Sequence, residues 1–200
     1  MPEAPTRSRR SERTAQTRQA LVEAALALMS RQGYDAISTD DIAAAAGVSP
    51  RTFFRYFPTK ESVLLFGEDD FIRSFAEHYR EQPTRLRELD AVRATFVALA
   101  PTITGLHRRI RLYNQALASS FVLRGQEQAH HDENVTRVAG ALAGRRGLRK
   151  PDDAARLLAT VVVATLQTVV NDWAAGPARA DLGQLIADRF ALLEAVVRGR

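Results

Sequence analysis

Apolar residues recur at intervals of three and four along nearly the whole 200-residue chain, and no segment alternates convincingly with a period of two. Leu21, Ala24, Ala25 and Leu28 share one face of a first helix, which runs from about Arg13 to a closing Gly33. The second helix is marked by its start. Ser38 is placed as N-cap with Asp41 at the third helical position, and Ile37 and Ile42 occupy the two staple positions. A third begins at Ser49, with Pro50 at N1, where its missing N–H costs nothing. Pro58 stops it, and Thr59 can cap a fourth helix from about Lys60 to Arg80, ended by Pro83. Leu86–Ala100 is amphipathic and stops before Pro101. Further helices span about Thr102 through Ser119 and about Phe121–Leu142, the latter ending in the glycine-containing stretch 144–147. Pro151-Asp152 opens a long apolar helix through Trp173, and Gly176-Pro177 ends it. The last helix sets Leu182, Leu185, Ile186, Phe190, Leu193, Val196 and Val197 on one stripe. The pattern predicts an all-α fold of about nine helices.

Composition narrows what such a fold can do. An apolar fraction of 46% and a charged fraction of 26% are those of an ordinary soluble globular chain. There are no cysteines, which excludes disulfides, thiolate catalysis and cysteine-based zinc sites. The Arg-rich start has no apolar run behind it, so no secretory signal is expected. The longest apolar run, Leu157–Val163 continuing to Leu166, is interrupted by Thr160, Thr165 and Gln167, too short and too polar for a bilayer span. A cytoplasmic location follows by default. No nucleophile triad, phosphate loop or paired-carboxylate pattern stands out, so no catalysis and no cofactor are expected. His130 and His131 are adjacent on a helix and point about 100° apart, which is poor for joint ligation, so no metal site is expected either.

The net charge is +5, which permits a polyanionic partner. Its placement matters more. Arg7, Arg9, Arg10, Arg13 and Arg18 crowd the first twenty residues, as either a minor-groove arm or a solubilising tail. In the second and third helices, Ile42, Ala43, Ala46, Val48, Phe53 and Phe57 are spaced to pack on Leu21, Ala25 and Leu28. The turn Gly47–Val48–Ser49–Pro50 separates the two helices, the layout of a helix-turn-helix. That leaves Arg51, Thr52, Arg55 and Tyr56 outward. Arginine can pair with guanine O6 and N7, and threonine can touch a thymine methyl. Thr39 and Lys60, at the starts of the second and fourth helices, flank this face, where free N–H groups suit phosphate. The competing reading is a solvated helix face. Phe54 is either core or a stack against a sugar.

The segment from about Arg18 to Leu65, with GYDAISTDDIAAAAGVS opening it and FFRYFPTKESVL closing it, resembles the TetR family of bacterial one-component repressors. The resemblance implies that Thr39, Pro50, Arg51, Thr52, Phe54, Arg55, Tyr56 and Lys60 face DNA. Many members carry a tyrosine where Phe54 stands. It also implies that the C-terminal helices form a ligand-binding and dimerisation domain. The stretch RRIRLYNQALASSFVLRGQEQ is similar to a branch of the family, which includes the mycofactocin-associated regulators, whose C-terminal domain binds acyl-CoA-like ligands.

The pattern of the second half fits that expectation. Leu157, Leu158, Val161, Val162, Val163, Leu166, Val169 and Val170 make one helix apolar nearly all round. Such a helix must be buried on two sides, one of them against a partner subunit. Candidate ligand contacts are Phe71, Phe75, Phe96, Leu99, Ile103, Tyr113, Asn114, Leu117, Phe121, Asn134, Val138, Thr165 and Val169, with ordinary core packing as the alternative for each. Asn171 and the basic cluster Arg108, Arg109 and Arg111 are further polar leads. The expected organisation is a disordered basic arm over 1–12, a helix-turn-helix domain over 13–58 and a ligand-binding and dimerisation domain over 59–200. The expected function is a homodimeric repressor of a near-palindromic double-stranded operator, released by a small apolar, acyl-CoA-like effector. The alternatives are an activator or corepressor-dependent regulator, or a helical protein-interaction module.

Overall fold

The computed structural model describes residues 9–64 and 68–199. The chain folds into ten helices, and no strand occurs among the described residues. They are α1 Arg9–Gln32, α2 Thr39–Ala45, α3 Pro50–Tyr56, α4 Lys60–Leu64, α5 Glu68–Glu81, α6 Glu88–Thr104, α7 His107–Ser119, α8 Phe121–Arg145, α9 Asp153–Ala175 and α10 Leu182–Val197. The all-α expectation holds, with a helix count close to the nine foreseen.

Four boundaries differ from the sequence pattern. α1 begins at Arg9, ahead of Arg13, because a polar first turn with Glu12 near the helix start suits a helix without adding to the apolar stripe. The fourth helix is described as α4 and α5, with 65–67 between them outside the described residues. Of the arm expected over 1–12, residues 1–8 also lie outside them, and 9–12 are the first turn of α1 rather than disordered. α6 does not stop at Pro101 but runs through it to Thr104. Pro101 removes one N–H on an exposed side. Buried Leu99, Ala100 and Ile103 keep the same helix face in the core, and Gly105 N still reaches Pro101 O at 3.4 Å. α7 consequently starts at His107 rather than Thr102.

The caps that were legible are made. Ser38 Oγ accepts from Asp41 N at 3.1 Å, and the Asp41 carboxylate accepts from Ser38 N at 2.9 Å, a reciprocal capping box. Thr59 Oγ1 accepts from Ser62 N at 3.3 Å. After α2 the chain reverses at Gly47, whose φ is +68°. Val48 N donates to Ala43 O at 2.9 Å and Gly47 N to Ala44 O at 3.0 Å, the paired bonds of a Schellman ending. That ending turns the chain directly into the N-cap of α3, Ser49, which accepts from Thr52 N at 3.2 Å.

The chain divides into two compact units, Met1–Phe66 with Leu112–Arg124, and Gly67–Arg111 with Gly125–Arg200. The first is built around Leu21, Val22, Ala25, Leu26 and Met29 of α1. Ile42 and Ala43 of α2, Phe53 and Phe57 from α3 and its end, and Val63 and Leu64 of α4 pack on them. Ala116 of α7 and Leu123 of α8 complete this core. Ser120, only 1% exposed, caps the start of α8. Its Oγ accepts from Leu123 N at 3.2 Å and donates to Asp35 Oδ1, in the α1–α2 connection, at 2.9 Å.

The second unit packs α5, α6, α8, α9 and α10 around Phe75, Tyr79, Phe96, Val138, Leu142, Val162, Trp173, Ile186 and Phe190. Arg146, near the end of α8, bridges to Glu88 of α6 and to Asp152, the N-cap of α9. α9 is long and apolar enough to cross a membrane by length and composition, with a mean hydropathy of 1.4 over its best window, so the expectation that it is too short and too polar does not stand as written. Its threonines do not break the apolar run, because their hydroxyls bond to the helix's own carbonyls. Thr160 reaches Arg156 O at 3.0 Å and Thr165 reaches Val161 O at 2.7 Å. One face of α9, with Ala155, Ala159, Val162, Val169 and Trp173, is buried in the protein's own core. Of the last-helix stripe, Leu182, Ile186 and Phe190 are buried, while Leu185, Val196 and Val197 face outward.

Candidate nucleic-acid interface

Burial of Phe53 decides which side of α3 is presented. Its ring is wholly buried and lies 6.0 Å from that of Phe57. The residues around it on the short helix therefore turn away from the core. Pro50, Arg51 and Arg55 are exposed, and Thr52 and Tyr56 are half-buried. Among the described residues, Arg51 has no hydrogen bond or ion pair. Arg55 lies over the Tyr56 ring, with its guanidinium carbon 4.8 Å from the centroid, and donates to the Tyr56 hydroxyl at 3.2 Å. Burial raises the Tyr56 phenol, but bonds from Arg55, Thr14 and Thr17 outweigh it and leave the phenol below its usual range. The stack braces Arg55 against α1 and shortens its free reach. Thr52 Oγ1 sits 3.0 Å from Ser49 Oγ, so its hydroxyl is oriented by the cap.

Phe54 is 53% exposed, with its ring edge-on to Phe53 at 5.3 Å, so of the two sequence readings the structure favours the outward one over core. Thr39 stands half-buried at the first position of α2, beside the capping box. Thr39 and the α3 residues belong to one compact unit.

Lys60 belongs to the same unit, but its ammonium is engaged elsewhere. Nζ donates to Tyr34 O at 2.9 Å and to Ile37 O at 3.0 Å, and lies 4.0 Å from the Tyr34 ring centroid. The neighbouring Glu61 accepts from the Tyr34 hydroxyl, and burial together with that carboxylate raises the phenol well above its usual range. Lys60 and Glu61 thus both pin the α1–α2 connection. The signal in the sequence, Lys60-Glu61 after Tyr34, was present but carried no distance information.

The candidate effector residues fall in both units. Phe71, Phe75, Phe96, Leu99, Ile103, Asn134, Val138, Thr165 and Val169 belong to the second, and Tyr113, Asn114, Leu117 and Phe121 to the first. Within the second, Phe75 and Phe96 stack at 4.7 Å and Phe71 and Phe96 at 6.5 Å. Tyr113 and Leu117 pack on the head core, and Phe121 is 87% exposed beneath the Arg124 guanidinium. Polar groups that the sequence reading did not assign to an effector lie between α8 and α9. His131 Nδ1 is 3.0 Å from Gln167 Oε1, and Gln167 Nε2 donates to Glu127 at 3.0 Å. His107 stands edge-on to Trp173 at 4.5 Å. No group of three or more His, Asp or Glu residues suited to a metal ion occurs among the described residues.

A short, N-capped helix that follows α2 across a tight turn and points its arginines away from the head core defines a helix-turn-helix module. Residues 21–65 match the family described as bacterial regulatory proteins, tetR family, and residues 86–198 match the MftR C-terminal domain. The chain is 28% identical over 177 residues to the HTH-type transcriptional regulator TcmR of Streptomyces glaucescens, covering 82% of this chain and 76% of TcmR. It is 31% identical over 153 residues to the HTH-type transcriptional regulator BetI of Rhizobium meliloti, covering 70% of each. The crystal structure of the repressor FadR of Thermus thermophilus with lauroyl-CoA is similar in fold, with a TM-score of 0.55 at 23% identity, covering 88% of this chain and 92% of FadR. The chain belongs to the TetR family of bacterial transcriptional regulators.

The Lys60 contacts yield a measurable consequence. Lys60→Met keeps the aliphatic stem but leaves two carbonyls without their charged donor. It is expected to destabilise the protein by about 1.5–3 kcal/mol. Urea melts followed by circular dichroism would show the loss, and an unchanged midpoint would refute the assigned role.

Proposed function

We propose that the protein is a homodimeric, effector-responsive repressor of a near-palindromic operator, acting in the cytoplasm. The outward face of α3 carries this reading. Arg51 has no internal partner and Arg55 is braced by Tyr56, so one basic group is free to seek a base edge while the other is held in place. Thr39, Pro50, Thr52 and Phe54 surround them, and free N–H groups at the helix starts suit phosphate oxygens. The capping box before α2, the Gly47 reversal and the Ser49 cap order the two short helices, so the face is organised before DNA arrives. Function divides along the chain into a reading head, 13–58, and an effector and dimerisation domain, 59–200.

The dimer reading is supported by apolar side chains that the protein's own core leaves uncovered on its last two helices. Leu157 of α9 and Leu192, Val196 and Val197 of α10 are all exposed, Leu157 at 68% and Val197 at 76%. Between the two helices lies a groove of about 180 Å³ lined by Val169, Asp172, Leu185, Asp188, Arg189 and Leu192. A second copy bringing the same face would bury these side chains by two-fold symmetry and set two heads about one helical turn, ~34–36 Å, apart.

An acyl-CoA-like effector is supported by the MftR-type C-terminal half and by the lauroyl-CoA held in a protein of similar fold. The route to the head runs through α7 and α8, each of which contributes residues to both units. Ala116, Ser120 and Leu123 sit in or against the head core, so displacement of these helices strains the contacts that seat α3. Release by effector corresponds to a coupling of about 1–3 kcal/mol.

Three outcomes test this reading. Fluorescence anisotropy with duplex DNA from the protein's own promoter should show Arg51→Ala and Arg55→Ala each costing about 1–3 kcal/mol and relaxing base preference. Unchanged affinity in both would remove the reading face. Lauroyl-CoA added to the preformed complex should weaken it by roughly 5- to 150-fold. Strengthening would instead establish the corepressor alternative, and no effect would eliminate the acyl effector. Leu192→Glu combined with Val196→Glu should give monomers in sedimentation velocity and lose tight operator binding. A dimer that persists in that variant would relocate the interface.

A further inference from the structure

Tyr79 of α5 is wholly buried in the core of the second unit, yet its hydroxyl has no hydrogen-bond partner among the described residues. A buried hydroxyl without a partner forfeits its hydration for nothing in return, and native cores rarely keep one. Phenylalanine would fill the same space without that cost.

The surroundings are specific. The Tyr79 ring stacks on Phe75 at 5.6 Å and 9°. Phe75 lies 4.7 Å from Phe96, and Phe96 lies 6.5 Å from Phe71 and 5.8 Å from Phe190. Tyr79 is therefore the polar end of an aromatic wall. Burial pushes its phenol up to about 12, so at ordinary pH it is a neutral O–H donor. Arg145 of α8 places its guanidinium carbon 5.1 Å from the Tyr79 ring centroid. That cation donates to the carbonyls of Tyr79, Gln82 and Pro83, at 3.2, 2.7 and 2.7 Å, rather than to a carboxylate. The Glu88 carboxylate acts on the phenol as well and, with burial, keeps it in its O–H form, and a buried O–H donor favours an acceptor oxygen.

From this juxtaposition we infer that Tyr79 is the polar anchor of the effector. Its hydroxyl donates to a carbonyl or carboxylate oxygen on an otherwise apolar molecule lodged against the Phe71–Phe96 wall. The inference rests on the reading of the second unit as the effector domain. It adds the class of head group that the effector must carry.

The test uses the full-length protein and Tyr79→Phe. Melting temperatures are measured without ligand, and binding of dodecanoate, lauroyl-CoA and dodecylammonium is followed by the fluorescence of Trp173. This is the chain's one tryptophan, and it lies in the same core. Tyr79→Phe should melt at the same or a higher temperature, because no bond is lost. It should bind dodecanoate and lauroyl-CoA roughly fivefold or more weakly, the worth of one hydrogen bond. Wild-type protein should prefer dodecanoate to dodecylammonium, and the substitution should leave dodecylammonium binding unchanged. A lower melting temperature would show that the hydroxyl is already satisfied inside the core and would overturn the proposal. Equal affinity of the two proteins for both acceptor probes would overturn it as well. If none of the three probes binds the wild-type protein, the acyl reading of the effector fails, and the melting comparison alone then decides for or against the unmatched hydroxyl.

Discussion

The reading head depends on the burial of one ring. α2 and α3 have seven residues each, and helices of that length do not persist alone in water. They persist here because Phe53 is enclosed by the α1–α2 core and Ile42 is enclosed beside it. Each turn on either side is closed by its own cap, Ser38 before α2 and Ser49 before α3, so little backbone freedom remains once the ring is seated. The outward positions of Arg51, Thr52 and Arg55 follow from helical spacing around Phe53. The chemistry of the outward face is thus set by a buried residue that does not lie on it.

That core is not contiguous in the chain. Ala116 and Leu123 enter it from α7 and α8, and Ser120 bonds to Asp35 across 85 residues of sequence. The head is finished only when the chain returns to it. Residues 112–124 therefore belong to the head by packing and not by their place in the sequence.

What was legible in the sequence was local. The caps at Ser38, Ser49 and Thr59, the reversal at Gly47 and the inward set Ile42, Ala43, Phe53 and Phe57 all follow from spacing within about four residues. The outward set Arg51, Thr52, Arg55 and Tyr56 follows by exclusion. Misreadings occurred where tertiary packing outweighs a local signal. Pro101 reads as a stop, yet buried Leu99, Ala100 and Ile103 carry α6 past it. Thr160 and Thr165 read as polar interruptions of α9, yet their hydroxyls are spent on the helix backbone. Lys60 reads as a free cation, yet two carbonyls 23 and 26 residues upstream hold it. Neither the union of Leu112–Arg124 with the head nor the unmatched hydroxyl of Tyr79 leaves any periodic trace.

Lys60 and Tyr79 show how differently the two units treat polar groups placed against aromatic rings. In the head, the Lys60 ammonium, the Tyr34 hydroxyl and the Ser120 hydroxyl each have a partner within the unit. The second unit holds three buried polar atoms with none, Tyr79 Oη, His107 Nε2 and Gln126 Oε1, on three different helices. A ligand shifts an equilibrium only through contacts that differ between the two states it joins. A unit that leaves polar atoms unmatched sacrifices some stability when empty and gains disproportionately when a complementary molecule arrives. Under the proposed reading, the Tyr79 hydroxyl is the group through which the second unit would gain most from such a molecule, because burial has already removed its water.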